Sequence, residues 1–159
     1  MVMELFRWLE HTPIAEAIRD WRWAYPALET GHYIGLSLLV GGIMLIDLRV
    51  LGFARKLQLK SIIGLLPFVL VGFLINVITG SLLFVYGATN FGTNPVFWIK
   101  MTLMVIAGLN ALAFDLSVNR YSYDWVAADR PPALVKGFAT LSFALWLCVI
   151  TAGRWMAYI

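Results

Sequence analysis

The chain has 159 residues, of which 61% are hydrophobic and 13% charged, with a formal net charge of +3. A soluble domain is about half apolar and a quarter charged, so this excess, gathered in long runs, predicts a membrane protein of one compact domain, residues 1–159. The few bases form no extended basic face, which excludes nucleic acid as a partner, and the single Cys148 excludes an intrachain disulfide or a Cys-rich zinc site.

Residues 2–25 read as amphipathic and interfacial. Leu5, Phe6, Trp8 and Leu9 make one apolar stripe. Thr12-Pro13 is an N-cap followed by proline at the first helical position, and Ile14, Ile18, Trp21 and Tyr25 continue at helical spacing. Trp8, Trp21, Trp23 and Tyr25 suit the headgroup layer, so this segment is expected to lie on the membrane and not through it. The opening MVMELFRWLEHTP carries acids and a Trp where a signal peptide would have a basic start and a longer apolar run.

Four apolar runs follow, each long enough for the roughly 20 residues a membrane helix needs. The first, about 27–51, begins after Pro26 and carries Glu29, His32, Asp47 and Arg49. Gly31 and Gly35 form a small-xxx-small pair, and Gly41-Gly42 is a second thin place. The second, about 61–87, contains Pro67, expected to kink it, with Gly72, Asn76, Thr79 and Gly80 beyond. The third, about 95–118, carries Lys100, Asn110 and Asp115. The fourth, about 132–158, carries Lys136, Cys148 and Arg154. Cys148 is expected to be buried. Short connections between four runs predict an all-α, up-and-down four-helix bundle in the membrane.

The bases set an expected orientation. The 52–60 loop and its flanks hold Arg49, Arg55, Lys56 and Lys60. The connection after the third run adds Arg120, Arg130 and Lys136, while the 88–95 loop, polar and turn-rich, holds none. The positive-inside rule places the two basic loops in the cytoplasm, with both termini and loop 88–95 outside, in a periplasm for a Gram-negative source.

Depth then follows at about 1.5 Å per residue, which puts His32 roughly 7 Å below the outer start of its span. Lys100 and Arg154 share that layer, and Glu29 sits one turn above His32. Ionisable groups at such depths mark function or deliberate pairing. In one reading they form a redox-cofactor site. The neutral imidazole of His32 would ligate haem b, and Gly35 and Gly42 would leave room for the flat macrocycle. Lys100 and Arg154 would neutralise propionates, and His11 or one of Met101, Met104 and Met156 would supply a second ligand. The same groups could hydrogen-bond a quinone headgroup. In the other reading they are structural, with Glu29 paired to Lys100 or Arg154 and His32 bonded to a backbone carbonyl or Asn76. At the inner end, Asp47 and Arg49 read as a topology lock, with Arg49 capping or pairing to Asp115.

No Ser-His-Asp set, HExxH, P-loop or dinucleotide fingerprint is present. Two function classes follow. One is a small membrane redox component, without catalytic activity of its own. The other is a non-catalytic accessory subunit that packs on a larger membrane complex or on copies of itself.

Pro26-x-x-Glu29-x-x-His32, Gly42, Asp47-Leu48-Arg49-x-Leu51-Gly52, Asn94-Pro95-x-Phe97, Lys100-Met101 and Ala107-Gly108-Leu109-Asn110-Ala111 together resemble an uncharacterised family of small bacterial inner-membrane proteins. The resemblance spans nearly the whole chain. It implies four spans in a bacterial inner membrane and no particular activity. It also implies a histidine where Asp115 stands here, a departure that bears on any site needing an inner-leaflet histidine. The chain is more loosely similar to small four-helix haem b membrane cytochromes, which use histidine pairs on facing helices; its spans hold only His32.

Overall fold

A computed structural model describes residues 2–118 and 124–158, with the side chains of Ser117, Val118 and Asp124 left out of the description. Residues 119–123 of the connection after the third run, with Arg120, lie outside the described residues. Nine helices are described: α1 (Val2–Glu10), α2 (Pro13–Asp20), α3 (Ala24–Leu51), α4 (Leu59–Ile63), α5 (Leu66–Tyr86), α6 (Ala88–Thr93), α7 (Pro95–Val118), α8 (Asp124–Ala127) and α9 (Ala133–Trp155). Four stretches, Ala24–Leu51, Leu59–Tyr86, Pro95–Leu116 and Ala133–Trp155, are long and apolar enough to cross a membrane. They pack as an all-α four-helix bundle in which α3 lies against α5 and α9, and α9 against α7. Side chains of α5 and α7 also meet, Phe84 stacking on Phe97 with ring centroids 5.3 Å apart.

The proline and glycine positions explain where helices start and stop. Pro26 falls within the first turn of α3, which begins two residues earlier. The second span divides upstream of Pro67 and is not kinked at it. Pro67 lacks an N–H and its ring crowds the carbonyl four residues back, so α4 ends at Ile63 and α5 begins with Pro67 in its first turn. Gly52 ends α3 in the left-handed region (φ 102°), where its own N–H donates to Arg49 O and that of Phe53 donates to Leu48 O. Asn94 caps α7: its Oδ1 accepts the N–H groups of Val96 (2.9 Å) and Phe97 (3.4 Å). Its Nδ2 donates to Met156 O, tying the last turn of α9 to the start of α7.

The amphipathic N-terminus forms two helices folded onto one end of the bundle. Thr12 precedes α2 as expected, but its hydroxyl donates backward to Leu9 O and closes α1. Phe6 turns inward against Gly92 of α6 and meets Phe84 edge-on, with centroids 6.0 Å apart. The Glu10 carboxylate accepts the Thr89 N–H at 2.7 Å in the first turn of α6, so the expected open loop at 88–95 is itself partly helical. Trp8, Trp21 and Trp23 stay exposed.

The tightest packing joins α3 to α5. A Cβ on Gly35 would lie 2.6 Å from Asn76 Nδ2 and 3.0 Å from Gly72 O. One on Gly72 would lie 2.6 Å from Leu39 N and 2.7 Å from Gly35 O. The two backbones therefore touch, as small residues permit in lipid. Leu39, Val40, Val69, Ala107, Leu145, Trp146 and Val149 fill the middle of the bundle. Cys148, expected inside, is exposed on α9, because its neighbours Trp146 and Val149 take the inward positions.

Candidate functional site

His32 is partly buried on α3, where α3 meets α5. Its ring lies over Gly80, whose missing side chain makes the space: a Cβ there would be 3.2 Å from His32 Cε1. Its Nδ1 lies 2.9 Å from Thr79 Oγ1. The Thr79 hydroxyl hydrogen is already engaged, donated to Ile75 O at 2.7 Å. Nδ1 must therefore carry the hydrogen it shares with Thr79, so that in the neutral ring Nε2 is the unprotonated nitrogen. The expected partner, Asn76 or a backbone carbonyl, is replaced by Thr79. Asn76 instead donates to Gly72 O within its own helix.

Of the residues expected around His32, one joins it. The partly buried Lys100 is near enough for its charge to act on the ring, and its side chain runs along Gly153 of α9, with Nζ 3.7 Å from the position a Cβ would take. Arg154 turns away: it is exposed, donates to Tyr158 Oη at 2.5 Å and covers the same ring. Glu29 is partly buried and makes no ion pair with Lys100 or Arg154 among the described residues. His11 is exposed beyond α1, its Nδ1 2.7 Å from Arg7 O. The face of α3 at Gly35 and Gly42, expected to admit a macrocycle, is occupied by α5, with Val69 Cγ2 2.5 Å from where a Gly42 Cβ would stand. Among the described residues no group of three or more His, Cys, Asp or Glu side chains is placed to hold a metal ion.

A cavity of about 550 Å³ opens next to this cluster, between α2, α3 and α5. Ile14, Ile18, Trp21, Leu28 and Leu82 give it an apolar wall, and Thr79 is its polar lining residue. The residue that hydrogen-bonds His32 thus also faces the cavity. The amphipathic pattern of α2 marked it as interfacial; that it roofs a cavity required knowing which two spans lie beneath it. Comparisons with family models, curated proteins and solved structures find no match to this chain.

At the other end of the bundle the expected Arg49–Asp115 pairing is replaced. Arg49, 3% exposed, donates through Nη2 to both carboxylate oxygens of Asp129 and through Nε to Leu57 O at 2.6 Å. One guanidinium thus holds both connecting segments against the end of α3.

Proposed function

We propose that the chain is a small membrane redox component that binds a quinone in the cavity beneath α2, with its headgroup at Thr79 and His32. The observation that carries this reading is the continuity between an apolar cavity of about 550 Å³ and the hydrogen-bonded Thr79–His32 pair. Ligand sites are mostly apolar, with a few polar groups that fix orientation, and an isoprenoid-tailed ring needs that combination. The Thr79 hydroxyl can turn from Ile75 O, a carbonyl inside a helix, to a quinone oxygen, while Nε2 of His32 can accept from a quinol hydroxyl. Lys100 supplies positive charge nearby. Haem b is the weaker ligand on this geometry, because the glycine face beside His32 is filled by α5 and His11 is engaged at α1. On this reading, which the positive-inside pattern supports, the site faces the outer leaflet with both termini outside; the membrane would be a bacterial inner one, as the family resemblance implies.

Trp21 lines the cavity and reports on it. In nanodiscs a short-tailed ubiquinone analogue should quench Trp21 fluorescence saturably, and Trp21→Phe should remove that component. Thr79→Val and His32→Gln should each weaken binding by tenfold or more. Absence of saturable quenching, or affinities unchanged in both variants, overturns the quinone reading. A Soret band in gently solubilised protein that is lost in His32→Ala would assign haem instead. Co-purification with a partner complex and neither signal would assign the accessory-subunit role.

A further inference from the structure

Far from the cavity, where α3 ends and α9 begins, three buried side chains from three elements have polar atoms without a hydrogen-bond partner among the described residues. Asp47 on α3 is 6% exposed and its Oδ2 has none. The same holds for Oδ1 of Asn110 on α7, 8% exposed, and for Nε1 of Trp125 on α8, 9% exposed. All three converge on one stretch of α9. The Asn110 amide donates to Phe138 O at 3.2 Å. Ser142, four residues further along, is close enough for its hydroxyl to act on the Asp47 carboxyl. Trp125 packs with Val135 and Ala139 on the same helix, α9, and with Val50 and Ile46 on either side of Asp47.

Buried polar atoms in a native structure are satisfied, and an orphan calls for a partner that is not a protein group. With Asp47 ionised these orphans are two acceptors and one donor; with a proton on Oδ2 they are one acceptor and two donors. A metal cation would repel the Trp125 N–H, whereas water can accept from the donors and donate to Asn110 Oδ1. The charge on Asp47 is a separate matter. A carboxylate in such surroundings is costly unless paired. Arg49 is turned to Asp129, while Lys60 on α4, Asp115 on α7 and Lys136 on α9 are exposed. α5 has no charged residue at all.

We propose that Asp47, Asn110, Ser142 and Trp125 form an internal proton-binding site, in which Asp47 is the neutral acid and ordered water links its carboxyl to Asn110 Oδ1 and the Trp125 N–H. Loading the site adds one proton from water to Asp47 Oδ2 and removes its charge; no electron moves. The site lies at the opposite end of the bundle from His32 and does not depend on the quinone reading.

Infrared difference spectroscopy of the whole chain in nanodiscs tests it. Near neutral pH the wild type should show a carboxylic-acid C=O band that shifts in D2O and is missing from Asp47→Asn, while Trp125→Phe should move the band without removing it. Asp47→Asn, an amide in place of a neutral acid, should unfold within a few-fold of the wild-type folded-to-unfolded ratio. Should that variant fail to fold, Ser142→Ala must shift the same band, since it removes a hydroxyl that acts on the carboxyl. A band indifferent to Asp47→Asn or to Ser142→Ala overturns the proposal. So does a sodium-dependent gain in stability that the wild type shows and Asp47→Asn lacks, which would assign a metal cation in the proton's place.

Discussion

Arg49 and Asp129, 80 residues apart, are joined by two hydrogen bonds of 2.5 and 2.7 Å. The pair is asymmetric: the Arg49 side chain is 3% exposed and that of Asp129 is 51% exposed. Removing one member of a fully buried pair costs about 3–5 kcal/mol, because the other is left charged and dry. Here water can reach from the Asp129 side, and Arg49 keeps its bond to Leu57 O, which reduces the loss.

Asp129→Asn is therefore expected to cost about 1–2 kcal/mol, below the fully buried case. Asparagine also tolerates the left-handed backbone at this position (φ 53°), so the substitution isolates the charge. Arg49→Met should cost more, since it leaves Leu57 O without its donor and removes the group that joins both segments. Unfolding in mixed micelles measures both, and limited proteolysis between Phe53 and Gln58 should accelerate in Arg49→Met.

The contact between Gly35 and Gly72 makes a prediction of sign. Gly72→Ala would place a methyl 2.6 Å from Leu39 N and 2.7 Å from Gly35 O. Backbone cannot move aside as a flexible side chain can, so α3 and α5 must separate, at about 1–3 kcal/mol for overpacking. Gly108, in the interior of α7, has nothing within 4 Å of an added Cβ. Gly108→Ala should therefore be neutral or stabilising by roughly 0.4–1 kcal/mol. Two identical chemical changes should thus act in opposite directions, as read by thermal unfolding in one detergent.

How much of this was legible in the sequence divides along a physical line. The four spans could be read because an apolar run of bilayer length has few other solutions. The α7 start was readable for a similar reason: Asn94-Pro95 is a cap followed by a residue that needs no N–H donor. Relations between spans could not be read. Gly35 was recognised as a thin place, but a gap on one helix does not say what fills it, and Gly72 filled the space assigned to a macrocycle. Depth counting brought His32 and Lys100 together, yet placed Arg154 with them, because depth ignores the side of the helix. Asp129 was missed as the partner of Arg49 because it lies in a connection whose path is set by tertiary contacts, and no periodicity describes that.

The N-terminal helices are held by few contacts, which predicts local release without global unfolding. Phe6 sits over Gly92, and a Cβ on Gly92 would come 2.2 Å from its ring. Gly92→Val should expel Phe6 and detach α1, while the α3–α5 and α7–α9 contacts are untouched. Glu10→Ala should weaken the same docking by removing the acceptor for the Thr89 N–H, at about 0.5–2 kcal/mol for a lost cap. Hydrogen exchange should rise across Val2–Glu10 and Ala88–Thr93, with α3 and α9 unchanged. Equal exchange increases in all four spans would show that α1 is integral to the core.

Cys148 supplies a direct test of how the bundle sits in lipid. It is the only cysteine in the chain and is exposed on α9, fifteen residues after α9 begins at Ala133 and seven before it ends at Trp155. An exposed side chain well inside an apolar helix of spanning length should face acyl chains. A spin label on Cys148 should then be relaxed strongly by dissolved oxygen, which partitions into lipid, and weakly by a water-soluble nickel chelate. A label at Gln58, between two spans, should show the reverse. Cys148→Ser should also leave stability nearly unchanged, since Val149 and Trp146 fill the inward face beside it. Strong relaxation of the Cys148 label by the nickel chelate would mean that α9 presents this face to water, and α9 could not then be a lipid-facing span.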